Sequence, residues 1–148
     1  MAAFEFGNFR FLDAGDLTWY VEERLACPAN LVGAVDLYQI SHHGLDLSNN
    51  PRLVHTMRPR VVIVNNSAKK GAEPKSMQTV LSSPGLEAVW QLYANPATGS
   101  RLNAPASQIA NPPGGCGGTF LMATIRPDGS FSIQAGESGA SKSYAARR

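Results

Sequence analysis

Val35-Asp36-Leu37-Tyr38-Gln39-Ile40-Ser41-His42-His43-Gly44 is the stretch on which the reading of this chain turns. Its first six residues are rich in the β-branched, aromatic and aliphatic side chains that suit a pleated, buried surface, so Val35 to Ile40 is read as a strand. Gly44 lets the backbone turn sharply, so the strand exits into a His-His turn. Downstream, Ser48-Asn49-Asn50-Pro51 opens a helix, with Asn50 as N-cap and Pro51 in the first helical position. That helix runs to about Met57 and Pro59 ends it. Val61-Val62-Ile63-Val64 then has the continuous β-branched pattern of a strand buried on both faces. Strand, helix, strand makes a βαβ unit with parallel strands.

Upstream, Phe4 to Leu12 alternates with one slip at Gly7-Asn8, which predicts a hairpin. Asp13-Ala14-Gly15-Asp16 leads into a helix from Leu17 to Leu25, with Pro28 as its stop. Past Val64 comes a polar loop, Asn65 to Glu73, and a helix from Pro74 to about Leu81. Gly85 to Tyr93 reads as a further helix. These elements define a core over 4–94. Residues 95–118 are rich in Pro, Gly, Ser and Asn and read as one long surface loop. A C-terminal hairpin and tail, 119–148, follow, with Thr119 to Ile125 and Phe131 to Ala135 around Pro127-Asp128-Gly129.

The 148 residues are 43% hydrophobic and 16% charged, enough apolar side chain for one ordinary domain with its own core. A net charge of +2, without a basic patch beyond the tail from Lys142, gives no nucleic-acid signature. The longest apolar runs fall far short of the roughly 20 residues a membrane helix needs. Cys27 and Cys116 fit no zinc or redox spacing. They are either two free thiols or one disulfide, and the disulfide would imply an oxidising compartment and hence an exported protein.

Two features carry chemistry. Asp16 follows Gly15 at one strand exit, where it can hold a metal or cap the next helix. Asp13 is the competing carboxylate. His42 and His43 lie at the next strand exit, and imidazole is a common metal ligand and general base. Parallel neighbouring strands place both exits on one rim of the sheet, so Asp16 and the histidines can share one ion. His55, among Leu53, Val54 and Met57, reads as a structural or exposed histidine. Lys69 and Lys70 sit on the same rim, as solvated residues or as contacts for an anionic substrate such as a phosphate.

Gly15-Asp16, Ser41-His42-His43-Gly44 and Arg58-Pro59-Arg60-Val61, in that order, resemble the metallo-β-lactamase superfamily, and within it the metallo-hydrolase domain of competence proteins that import DNA. The resemblance covers about Phe4 to Leu81. It implies an α/β fold, the C-terminal half of an αββα sandwich with a mixed sheet, flanking helices and a C-terminal hairpin. It implies one or two divalent metals in the complete domain, zinc with manganese or iron as alternatives. Asp16 would be a catalytic metal-bridging ligand and His42 a ligand, with His43 as an alternative or supporting one. The implied reaction is attack by a metal-bound hydroxide on an ester, phosphoester or lactam, with Lys69 and Lys70 on the substrate.

The sequence departs from that family twice. The His-x-His-x-Asp-His motif is absent from this chain, and Gly71-Ala72-Glu73-Pro74 stands where competence-type proteins have His-Pro. Half of the sandwich would be inactive alone, and its sheet would keep one face uncovered unless self-association covers it. The alternative is a non-catalytic interaction or oligomerisation domain derived from that fold.

Overall fold

Gly7-Asn8 reverses the chain between β1 (Ala2–Phe6) and β2 (Phe9–Asp13), which pair antiparallel with Phe4 opposite Phe11 and Phe6 opposite Phe9. In this computed structural model, which describes residues 1–114 and 118–147, the hairpin forms one edge of a six-stranded sheet. The strands run in sequence order. After β1–β2, each of β3 (Leu37–Gln39), β4 (Val61–Val64), β5 (Ala88–Tyr93) and β6 (Ile109–Asn111) adds parallel to its predecessor. Helices α1 (Trp19–Ala26), α2 (Pro51–Met57) and α3 (Pro74–Leu81) make the connections up to β5. The expected α/β class and mixed sheet with flanking helices are therefore present.

Alternation along the strands sorts side chains into two cores. Leu12, Tyr38, Ile40, Val62, Val64 and Val89 pack against Leu53, Val54 and Met57 of α2 and Met77 and Val80 of α3. The opposite face carries Phe9, Leu37, Val61, Ala88 and Trp90. It is covered by a second sheet of β7 (Leu121–Ile125), β8 (Phe131–Ala135) and β9 (Ser141–Tyr144), through Phe131, Ile133, Ala135 and Tyr144. Trp90 Nε1 donates to the Tyr144 hydroxyl at 2.9 Å, satisfying both buried polar groups. The expectation of an uncovered sheet face is thus corrected. The C-terminal meander covers it, leaving Phe4 and Phe6 exposed at the β1 edge.

Other expectations change as well. Gly85 to Tyr93 is not a helix, because Ala88–Tyr93 is the strand β5. Ala88 to Gln91 are all buried, so neither a helical nor an alternating period marks the segment. Residues 95–118 are not one featureless loop. They contain two short 3-10 turns, Pro96–Thr98 and Ala106–Gln108, and the strand β6. The C-terminal hairpin gains β9 as a third strand. Asn50 does cap α2, accepting from the Arg52 amide at 2.9 Å, and Pro51 takes the first turn.

At the rim where β3 begins, buried Asp36 accepts from Arg60 Nη1 at 3.1 Å, Arg147 Nε at 3.2 Å and the Arg10 amide at 3.0 Å. Arg60 thus braces the end of the sheet opposite the His-His turn. No helix among the described residues is long and apolar enough to cross a membrane.

Candidate functional site

Parallel pairing of β2 with β3 is what brings the predicted residues together. Asp13 pairs with Gln39 at the last rung, so the chain leaves both strands on the same rim. Ser41–Gly44 then makes a tight, kinked turn, and the His42 amide donates to the Gly15 carbonyl at 2.8 Å. This stitch sets Asp16 Oδ2 3.9 Å from His42 Nε2. The Asp16 side chain is 66% exposed and that of His42 21%. Asp16 does not cap α1: the helix begins at Trp19 with Thr18 as N-cap, which corrects the capping alternative. Asp13, the competing carboxylate, accepts from the Gly15 amide at 2.9 Å and so closes the turn that presents Asp16.

The turn is held in a conformation its residues rarely adopt. His42 has φ 52° and His43 φ 58°, both left-handed without being glycine. Asn49 (φ 63°) and Ala72 (φ 51°) share that region, and both bond directly to the turn. Such residues cost on the order of 1–3 kcal/mol each and persist only where the surroundings over-determine them. Here they do. The Ser41 amide donates to the Tyr38 hydroxyl and to Asn49 Oδ1, at 3.0 and 3.1 Å. Asn49 Nδ2 returns to the Ser41 carbonyl and to Ser76 Oγ, both at 3.0 Å. On the far side the amides of Ala72 and Glu73 donate to the carbonyls of His43 and Gly44, at 2.9 and 2.8 Å.

Beneath this network lies Glu22. Its two carboxylate oxygens accept from the amides of Asn49 and Asn50, at 2.9 and 2.7 Å, at the start of α2. Burial pushes its pKa up, opposed by those two amides, by Ser41 and by the proximity of His42. Asp46 plays the same part for α3, accepting from the amides of Lys75 and Ser76 at 2.9 and 3.0 Å. Neither acid is marked by the sequence. Glu22 sits in Glu22-Glu23-Arg24, which looks like a solvated helix face. The one available signal is its place four residues after Thr18 on a helix that must pack.

The hydrogen bonds also orient the imidazoles. Ser48 Oγ donates its only proton to the Leu17 carbonyl at 2.6 Å, so toward His42 Nδ1, 3.5 Å away, it acts as acceptor. A His42 protonated at Nδ1 turns its Nε2 lone pair toward Asp16. Donation to Leu17 also removes Ser48, which is buried, as a nucleophile. His43 Nδ1 donates to the Asn65 carbonyl at 3.0 Å, leaving its Nε2 bare. The rings of His42 and His43 are 6.4 Å apart. His55 is elsewhere, bonded through Nε2 to the Thr79 carbonyl at 3.0 Å, as expected of a structural histidine. Lys69 and Lys70 are exposed, and their amides donate to Ser67 Oγ at 3.2 and 3.0 Å. No described contact brings either to Asp16.

Asp16 Oδ2 and His42 Nε2 lie 3.9 Å apart, a pair that a cation could bridge. Ligand bonds of about 2.0–2.2 Å at a tetrahedral angle separate two donors by about 3.4 Å. Rotation of the exposed Asp16 side chain closes that difference. The pair therefore fits as two ligands. The count does not fit a whole site: among the described residues no group of three or more His, Cys, Asp or Glu is placed to hold a metal. In comparison with known proteins, the chain matches no family model, no curated protein and no solved structure.

Proposed function

We propose that Asp16 and His42 are two ligands of a divalent cation in a metal-dependent hydrolase of metallo-β-lactamase type, the remaining ligands coming from outside the described residues. On this reading the α/β layer corresponds to the C-terminal half of that fold. The observation that carries the proposal is the 3.9 Å approach of Asp16 Oδ2 to His42 Nε2 at neighbouring strand exits. Zinc suits this oxygen–nitrogen pair, and manganese or iron would be accepted by the same donors. When bound, such a cation supplies Lewis acidity and activates water toward an ester, phosphoester or lactam.

The chain's own residues do the positioning. Asp16 holds and orients from the open side, and His42 from the buried side. His43, tied through Nδ1 to the Asn65 carbonyl just past β4, presents a second bare nitrogen as an alternative or supporting ligand. The strained turn fixes both histidines before any ligand arrives, so little ordering remains to be done on binding. Lys69 and Lys70 are the cations on this rim that would meet an anionic substrate.

A second reading is favoured by the shortage of ligands. In it the domain is a non-catalytic interaction or oligomerisation module, and Asp16 and protonated His42 form an ion pair. A zinc titration followed at the imidazole nitrogens separates the two. The proposal expects the wild-type chain to bind added zinc weakly but saturably at His42 and the Asp16→Ala chain to bind it measurably more weakly. No saturable shift at His42, or equal affinity in both chains, would leave the ion-pair reading standing.

A further inference from the structure

On the helical face lies an open groove of about 700 Å³ lined by Trp19, Pro51, His55, Lys75, Leu81 and Arg101, among others, and by neither Asp16 nor His42. A second concavity of about 510 Å³ continues it past α3, sharing Gln78, Arg101 and Leu102. Three features define its chemistry. Its walls are largely apolar, and large side chains on them stay in water: Trp19 is 42% and Leu81 38% exposed. Trp19 is fixed in place, because its Nε1 donates to the Ser48 carbonyl at 2.7 Å.

The charged lining is of one sign. Lys75 and Arg101 line the groove, no Asp or Glu lines either concavity, and neither cation forms a salt bridge among the described residues. Two cations without a salt bridge, beside exposed apolar surface, suit an occupant carrying both carboxylates and apolar anchors. The openness and length of the groove suit a peptide rather than an enclosed small molecule. Two cations are too few for the repeating phosphates of a nucleic acid, whose binding scales with the number of phosphates neutralised.

We propose that this groove binds an acidic peptide segment of a partner protein, with leucine-like anchors against Trp19, Leu81 and Leu102 and carboxylates on Lys75 and Arg101. The occupant needs no metal, so the idea stands or falls apart from the hydrolase reading.

The test is an NMR amide-shift titration of the full chain with a blocked synthetic heptapeptide, two leucines flanked by glutamates. Saturable shifts at Trp19, His55, Lys75, Gln78 and Leu102 are expected, including the Trp19 indole. The doubly reversed variant Lys75→Glu with Arg101→Glu, both exposed positions, should fold with an unchanged spectrum elsewhere and bind at least roughly tenfold more weakly, given two lost pairs and new repulsion. Replacing the peptide's glutamates by lysine, or its leucines by serine, should abolish the shifts. Absence of saturation up to about 1 mM, shifts outside the groove, or equal binding of the lysine peptide would each overturn the proposal.

Discussion

Replacing Phe131 by alanine should remove a large part of the stability of this protein. Phe131 is fully buried between the two sheets. Its ring meets Phe9 edge-on at 5.1 Å, stacks on Tyr144 at 4.9 Å, and lies 5.7 Å beneath the Arg60 guanidinium. Truncating a buried phenylalanine costs about 3–5 kcal/mol in transfer and cavity free energy. Each aromatic pair adds about 0.5–1.5 kcal/mol beyond burial, which places this site toward the upper end. A domain of this size has only about 5–15 kcal/mol in total. At roughly 2–4 °C per kcal/mol, the melting temperature should fall by about 8–20 °C.

Urea unfolding followed by circular dichroism measures the loss, with thermal melts alongside. Phe4→Ala is the control: Phe4 stacks on Phe11 but is 56% exposed, so its loss should stay below about 1 kcal/mol. If Phe131→Ala costs no more than Phe4→Ala, the C-terminal meander does not cover the sheet, and the packing described above is wrong.

Two more outcomes follow from the site. Gly71 has φ 87°, and an added Cβ would collide with the His43 carbonyl oxygen, so Gly71→Ala should destabilise by at least about 2 kcal/mol in denaturant titrations and shift the His43 ring resonances. Glu22 has a folded-state pKa raised chiefly by burial, so its favourable contribution is full below the ordinary glutamate range and is lost as pH rises through the raised value. The stability advantage of wild type over Glu22→Gln, measured by urea unfolding from pH 4 to pH 7.5, should therefore shrink as pH rises; a widening gap would contradict the burial argument.

Local chemistry made parts of this fold legible. The hairpin at Gly7-Asn8, the Asn50-Pro51 start of α2, the Pro74 start of α3 and the β-branched β4 all carry turn, cap or strand signals independent of distant contacts. β5 carried none, because both of its faces are buried and its residues look equally like a buried helix. β9 is polar except for Tyr144, and its role is visible only once Trp90 and Phe131 are seen beneath it. The meeting of Asp16 with His42 was legible because it depends on topology alone, on two parallel neighbours leaving the sheet on one rim. The buried apparatus under it was not. Glu22, Asn49 and Ser76 are ordinary surface residue types whose function comes from contacts 27 residues apart in the chain.

The sharing of one cation by Asp16 and His42 is tested most directly by zinc titration of the ¹⁵N-labelled chain, following the imidazole nitrogens. The account predicts saturable binding with the largest shift at His42 Nε2, little change at His55, and at least roughly tenfold weaker binding in Asp16→Asn, a loss within the range expected for one metal ligand or its partner. Shifts confined to His55, or an Asp16→Asn chain that binds zinc as tightly as wild type, would contradict it.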